Sequence, residues 1–317
     1  MHTIILDKKT VQSMLNMSEA ISSVEKAFQD WTEGKGTMPS KSYLVLEQGD
    51  FRAMPAALPG AAGVKWVNVH PNNPTLGLPT VMAVLIYNDP ETGYPLAVMD
   101  ATDITAFRTG AAGAIASKYM ARPDSHTIGL IGAGRQAYTQ VIAHAELFDL
   151  QRVKIFDVVP AAAERLAKSL PKFKTQISRI EEAAASDIVC TVTPARTPVL
   201  KKAHVRPGTH INAIGADAEG KEELEPDVLK GARVVVDDLK QATKSGEINV
   251  PIAKGLYSAA EVYSTLGEII AGYKPGRKDI NEVTIFDSTG VAIEDIAIAK
   301  LIYARAKQGN YPAFELV

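Results

Sequence analysis

Thr127-Ile128-Gly129-Leu130-Ile131-Gly132-Ala133-Gly134-Arg135-Gln136-Ala137 is the stretch from which the fold of this chain is read. An apolar strand pattern, His126 to Ile131, runs into Gly-x-Gly-x-x-Ala, and a helical pattern over Gln136 to Leu147 follows. Gly132 permits a tight turn, Gly134 lets backbone N–H groups approach a pyrophosphate, and Ala137 keeps the helix close to the sheet. The anion would rest on the helix N-terminus, where Arg135 and Gln136 begin and unpaired N–H groups and the helix dipole favour negative charge. Asp157 ends the next strand pattern, Val153 to Asp157, 23 positions beyond Gly134. A carboxylate there accepts hydrogen bonds from ribose hydroxyls. Val158, Val159 and Pro160 follow with no Arg or Lys for a 2′-phosphate, which points to NAD rather than NADP.

Outward from this turn the grammar is alternating. Helix Ala161 to Leu170 and strands Ile188 to Val192, His210 to Ile214, Arg233 to Asp237 and Val283 to Phe286 predict βαβ units and a Rossmann-type, doubly wound parallel sheet of the α/β class. In such sheets ligands bind outside the carboxyl ends of the strands. Thr193, Ala213, Gly215, Asp217 and Ser288 lie at those ends and are candidate cofactor contacts; ordinary loop chemistry is the competing reading for each.

The N-terminal part reads differently. Ala20, Ile21, Val24, Ala27, Phe28 and Trp31 share one helix face, and Gly34 is a stop. Strand-like runs follow at Ser42 to Leu46, Gly63 to Val69 and Thr80 to Tyr87, divided by turn clusters. Thr109 to Ala121 reads as a tightly packed helix of small residues. Val291 to Ala306 is apolar almost all round in its first half, the pattern of a buried helix. The expected organisation is a discontinuous α+β domain for substrate binding and dimerisation, residues 1–115 plus 293–317, with the NAD-binding domain, 116–292, inserted in it.

Composition excludes other classes. Among 317 residues, Lys plus Arg is 34 and Asp plus Glu is 36, so the basic footprint of a nucleic-acid binder is missing. No run reaches the ~18 apolar residues of a membrane helix. The start, Met1-His2-Thr3-Ile4-Ile5-Leu6-Asp7, has no signal-peptide pattern, and one cysteine, Cys190, cannot build a disulfide framework. A cytoplasmic protein is expected. The six histidines show no ligand spacing, so no metal is expected. His210 reads as core, and Cys190 as an inert buried thiol.

Three cations interrupt or border apolar runs of the first domain: Lys41, Arg52 and Lys65. A charge there is costly unless partnered. Arginine suits bidentate carboxylate binding, and a desolvated lysine has a lowered pKa suited to proton transfer. The plain alternative for Lys65 is a solvated lysine on an open sheet face. Arg108, at the start of the small-residue helix, could hold pyrophosphate or substrate, or make a helix-start salt bridge. Asp217 follows a strand directly and could exchange protons with a reacting amine; an Asx turn is the alternative.

Read together, Arg52-Ala-Met-Pro, Lys65-Trp-Val-Asn-x-His-Pro, Gly77-Leu-Pro-Thr, Asp100-Ala-Thr, Arg108-Thr-Gly-Ala, Gly132-Ala-Gly-x-Gln-Ala, Ile211-Asn-Ala-Ile-Gly-Ala-Asp and Phe286-Asp-Ser-Thr-Gly resemble the ornithine cyclodeaminase/μ-crystallin family over nearly the whole chain. The resemblance implies bound NAD, a homodimer, and small-molecule partners: an amino acid, a 2-oxo acid and ammonia. It implies Lys65 as proton donor and acceptor, Lys41 and Arg52 as carboxylate ligands, Arg108 as a cofactor and substrate contact, and Asp217 as the essential acid. In ornithine cyclodeaminases the position matching Arg52 is acidic and can receive a second ammonium. Arg52 would instead repel it, by about 4 kcal/mol for two cations 4 Å apart at an effective dielectric near 20. The implied activity is therefore reversible NAD-dependent oxidative deamination of L-alanine, as in archaeal-type alanine dehydrogenase. Cyclodeamination of ornithine, ketimine reduction and a non-catalytic NAD-binding role are the alternatives.

Overall fold

The computed structural model describes residues 2–316 and divides into two units, one made by the chain up to Arg108 and from Val291 onward, the other Thr109–Gly290. In chain order the first unit contributes β1 (Thr3–Leu6), α1 (Lys8–Met14), α2 (Met17–Thr32), β2 (Ser42–Leu46), β3 (Gly49–Leu58), β4 (Ala61–Val69), β5 (Val81–Asn88) and β6 (Pro95–Asp100). Helix α3 (Thr102–Met120) carries the chain on. The second unit holds β7 (Thr127–Ile131), α4 (Arg135–His144), β8 (Arg152–Phe156), α5 (Pro160–Ser169), β9 (Thr175–Ile177), α6 (Ile180–Ala184), β10 (Ile188–Thr191), β11 (His210–Ala213), α7 (Pro226–Leu229), β12 (Arg233–Val236), α8 (Leu239–Ser245), α9 (Asn249–Ala253), β13 (Ser264–Thr265), α10 (Leu266–Ile270) and β14 (Thr284–Asp287). The chain then returns to the first unit as α11 (Ala292–Ala306) and β15 (Ala313–Phe314). No helix among the described residues is long and apolar enough to cross a membrane.

In the first unit seven strands run in the order β15-β1-β6-β5-β4-β3-β2, antiparallel from β2 to β6. Alternation along β3 and β4 sends one set of side chains inward: Arg52, Met54, Ala56 and Leu58 from β3, with Lys65 and Val67 from β4. Helices α2 and α11 lie on each other and on β3, and α11 also touches β4 and β5. Of the α2 face read from its periodicity, Ala20, Ile21, Val24, Ala27 and Phe28 are buried and Trp31 is half-buried; Asn16 caps the helix by accepting from the Glu19 N–H at 3.1 Å. Strand β3 is not among the runs named from the sequence; it carries Pro55, which has no ladder donor, yet pairs regularly with β2 and β4. Helix α3 starts at Thr102, not Thr109. Thr102, Ile104 and Thr105 are β-branched and weak helix formers, but Asp100 accepts from Thr102 N and Oγ1 at 3.2 and 3.0 Å and starts the helix.

The second unit is an eight-stranded sheet, β13-β12-β14-β11-β10-β7-β8-β9, parallel throughout. From β7 the chain winds outward to β8 and β9, then crosses back to β10 and continues the other way. The reversal lies between β7 and β10, and the glycine turn follows β7. Two apolar clusters fill the unit: one of Ile128, Leu130, Val153 and Ile155 with α4 and α5, another of Ile131, Ile211, Val234, Val236 and Ile285 with α6 to α8. Gly129 marks how closely α6 lies on β7, since a Cβ there would stand 1.9 Å from the Ala183 carbonyl oxygen. Because that obstacle is backbone, Gly129→Val is expected to cost about 3 kcal/mol, read as a lower urea midpoint at unchanged m-value.

Candidate active-site residues

Register decides which charges of the first unit meet. Tyr43, Arg52 and Val67 stand abreast across β2, β3 and β4, and Met54, Lys65 and Leu85 abreast across β3, β4 and β5. Arg52 and Lys65 therefore share the inward sheet face, and their relative exposures are 4% and 0%. That burial overturns the solvated-lysine alternative. Lys65 Nζ lies 2.8 Å from Asp295 Oδ1 and 2.7 Å from Oδ2. Arg108 Nη1 donates to Glu294 Oε2 at 2.7 Å, and its Nε stands 3.3 Å from Asp295 Oδ1. Two cations and two anions thus neutralise one another out of water. Burial pulls the Lys65 pKa down to about 8; Asp295 beside it pushes the other way, and Arg108 adds to the lowering.

Arg52 is oriented by Asp50, to which Nε and Nη2 donate at 2.7 and 3.2 Å. The Tyr43 ring bridges two cations, with Arg52 Cζ 5.4 Å and Lys41 Nζ 5.9 Å from its centroid. The structure thus gathers Lys41, Arg52, Lys65 and Arg108 in the first unit. Arg108 is not at a helix start: it sits in the second turn of α3, held by α11. Sequence reasoning missed Glu294 and Asp295. Their signal was present: two carboxylates inside a helix read as buried demand cationic partners.

In the second unit Gly132 has φ +102°, and a Cβ on it would press on the Val192 carbonyl oxygen at 2.9 Å. Gly134, the N-cap of α4, has no side-chain capping bond, and its Cβ would meet nothing within 4 Å. Open space before a helix start that has no side-chain cap is the shape that a pyrophosphate requires. Asp157 Oδ2 accepts from Ala133 N at 2.7 Å and Oδ1 from Val159 N at 2.8 Å. Each oxygen keeps acceptor capacity for a ribose hydroxyl. Val158 and Val159 are exposed beside it.

Along the same strand-end edge, Ala213 is buried, Thr193 and Gly215 are tied to the buried Glu223 carboxylate, and Ser288 N donates to Ala213 O at 2.9 Å. Ser288 Oγ is buried and makes no hydrogen bond among the described residues, so its hydroxyl is available to a ligand. These residues fit NAD. Asp217 is half-buried and receives a short hydrogen bond from Lys221 Nζ. Four carboxylates behind this edge, Glu223, Asp237, Glu247 and Asp287, are buried; Asp237 and Asp287 were legible only as strand-end residues, and nothing in one-dimensional spacing shows that the four converge. Burial pushes the Asp287 pKa up to about 8 and those of Glu223 and Glu247 upward. His210 is core as expected, bonded to Thr284 and Asn212, and burial raises the Cys190 thiol to about 12. Trp66 is 45% exposed and stacks on Phe51.

A family model described as the ornithine cyclodeaminase/mu-crystallin family matches residues 1–310. The chain belongs to that family. It is 52% identical over 312 residues to an alanine dehydrogenase of Archaeoglobus fulgidus, covering 98% of this chain and 97% of the relative. A solved archaeal alanine dehydrogenase dimer with bound NAD superimposes with a TM-score of 0.98 at 50% identity, covering 100% of both chains. The Δ1-pyrroline-2-carboxylate reductase of Thermococcus litoralis, in complex with NADH and L-proline, gives a TM-score of 0.95 at 37% identity, covering 99% of this chain and 100% of that one.

For this family member the buried quartet has a measurable cost. Asp295→Asn leaves Lys65 without its carboxylate and is expected to lose about 3–5 kcal/mol at neutral pH. Above pH 8 Lys65 sheds its proton, so the loss should shrink; urea titrations of variant and parent at pH ~7 and ~10 would show it.

Proposed function

We propose that this chain catalyses L-alanine + NAD⁺ + H₂O ⇌ pyruvate + NH₄⁺ + NADH + H⁺. The observation that carries this reading is the fully buried Lys65, near-neutral in pKa, on one sheet face with Arg52. The glycine turn after β7, Asp157 and the unbonded Ser288 hydroxyl fit the dinucleotide in the other unit. Of the three relatives described above, the two alanine dehydrogenases, one of them solved with NAD, support the choice of substrate and cofactor.

In this reading Arg52, aimed by Asp50, and Lys41 bind the substrate carboxylate, and Arg108 contacts substrate and cofactor. Gly132, Gly134, Arg135, Gln136, Asp157, Thr193, Ala213, Gly215, Asp217 and Ser288 would hold NAD. When bound, NAD supplies the acceptor for the hydride from Cα. Lys65 as neutral amine takes a proton from the substrate side and as ammonium returns one; Asp217 serves water addition and ammonia release. Positioning of this kind supplies several kcal/mol of a barrier.

The test is absorbance at the NADH band with a panel of amino acids. Alanine should give NADH, and proline formed from ornithine with no NADH from alanine would overturn the reading. The limiting rate of alanine oxidation should rise as pH passes about 8, where Lys65 loses its proton, and that of pyruvate amination should fall over the same window. Lys65→Met should abolish this limb and cost about 10³-fold in kcat.

The outer face of the seven-stranded sheet exposes Leu44, Trp66, Val84 and Ile86. We assign it to a second copy of the chain, in keeping with the dimeric alanine dehydrogenase relative. Trp66→Arg should convert dimer to monomer in sedimentation velocity; a monomeric parent would exclude the assignment. A single buried cysteine suits the reducing cytoplasm, where we place the protein.

A further inference from the structure

The loop after β11 carries Asp217, and its conformation is set from behind. Glu223, with no exposed surface, accepts four hydrogen bonds. Oε1 takes Thr193 N and Thr193 Oγ1, both at 2.7 Å. Oε2 takes Thr191 Oγ1 at 2.7 Å and Gly215 N at 2.8 Å. One carboxylate therefore ties the end of β10 to Gly215, the second residue beyond β11. The fit is close: a Cβ on Gly215 would stand 2.1 Å from the Thr193 carbonyl oxygen and 2.6 Å from Glu223 Oε1. Glu223 is fixed in turn by Glu247, which accepts from Glu223 N at 3.0 Å and Leu224 N at 2.7 Å. Asn249 holds the middle of the loop, accepting from Gly220 N and donating to Lys221 O, each at 3.0 Å.

The chemistry of the clamp is specific. Four donors converge on one point, and only an ionised carboxylate offers four acceptor sites and no donor. A glutamine would aim its NH₂ at a backbone N–H whichever way the amide turned. Burying an anion with no cation bonded to it is a costly way to join two loops, since apolar packing of similar volume is often as stable. The cost is intelligible if the loops must hold one geometry rather than merely stay folded.

We propose that Glu223 is a positioning residue of the dehydrogenase site: by closing residues 215–224 onto the end of β10 it sets Asp217 and the backbone of Thr193 and Gly215 for the dinucleotide and for proton transfer. The inference rests on the activity proposed above. Glu223 itself touches no substrate; it acts through the loops it joins.

The experiment compares purified Glu223→Gln and Glu247→Gln with the parent, by NADH fluorescence titration without substrate and by kcat and KM for alanine. The Glu247 side chain accepts from Glu223 N and Leu224 N and bonds neither Thr193 nor Gly215, so Glu247→Gln removes a neighbouring buried acid while leaving the four bonds to the Glu223 carboxylate in place. Folded Glu223→Gln should bind NADH about tenfold more weakly and lose about 100-fold in kcat, the scale of an ångström-sized misplacement. Glu247→Gln, at similar loss of thermal stability, should lose far less of either. Parent-like NADH affinity and kcat in folded Glu223→Gln, or parallel losses in both variants, would overturn the proposal. Should Glu223→Gln not fold, Thr191→Val removes a single clamp bond. A several-fold loss in the same two readouts then supports the proposal, and unchanged values refute it. A parent that oxidises no alanine would refute the activity, while the NADH titrations still decide what Glu223 does.

Discussion

A lysine ammonium sealed from water can exist only beside a carboxylate, and in this protein that pairing, Lys65 with Asp295, organises the first unit. Lys65 comes from the middle of β4, Asp295 from the first turn of the last long helix, 230 residues later. The contact requires α11 to return to the sheet that the N-terminal third has built. Arg108 and Glu294 complete the arrangement, so that neither cation nor either anion is left to a low-dielectric interior alone. The first turn of a helix also favours acidic side chains through its dipole. A lysine held this way sits close to its titration point, which is the property that a proton-transferring group needs.

The second unit solves a related problem with the opposite sign. Its strand-end loops present many backbone N–H groups that no ladder can satisfy, and buried carboxylates take them up. Asp237 accepts from Thr289 N and Gly290 N at 2.6 and 2.7 Å, Asp287 from Glu247 N at 2.8 Å, and Glu223 from Thr193 and Gly215. Burial raises the pKa values of Glu223, Glu247 and Asp287, and for the last two neighbouring acids add to the rise, yet each fixes a loop that no apolar side chain could orient. Asp157 acts similarly on the glycine turn, bonding Ala133 while retaining acceptor capacity.

Much of this was legible before any coordinates. The six parallel strands named in advance agree with β7, β8, β10, β11, β12 and β14 to within one residue at either end, because buried parallel strands read as short apolar runs between turn signals. The role of Gly132 was readable because a tight turn against a neighbouring strand admits nothing larger. Less was readable of β3, which carries a proline inside its ladder, and of α3, whose first turn is rich in β-branched residues. Very short elements such as β13 and α10 carry too few residues for a period to show.

By itself, the amino-acid order determined the dinucleotide turn, the winding of the parallel sheet and the set of cations worth watching, since these depend on local periodicity and on residue types whose chemistry is the same wherever they fall. Only the tertiary structure decided that Lys65 is buried rather than solvated, that Asp295 and Glu294 answer Lys65 and Arg108, and that Glu223 joins two loops. Each of those outcomes depends on desolvation and on charges distant in sequence. Spacing along a chain does not encode which remote segment will exclude water from a side chain or arrive to neutralise it.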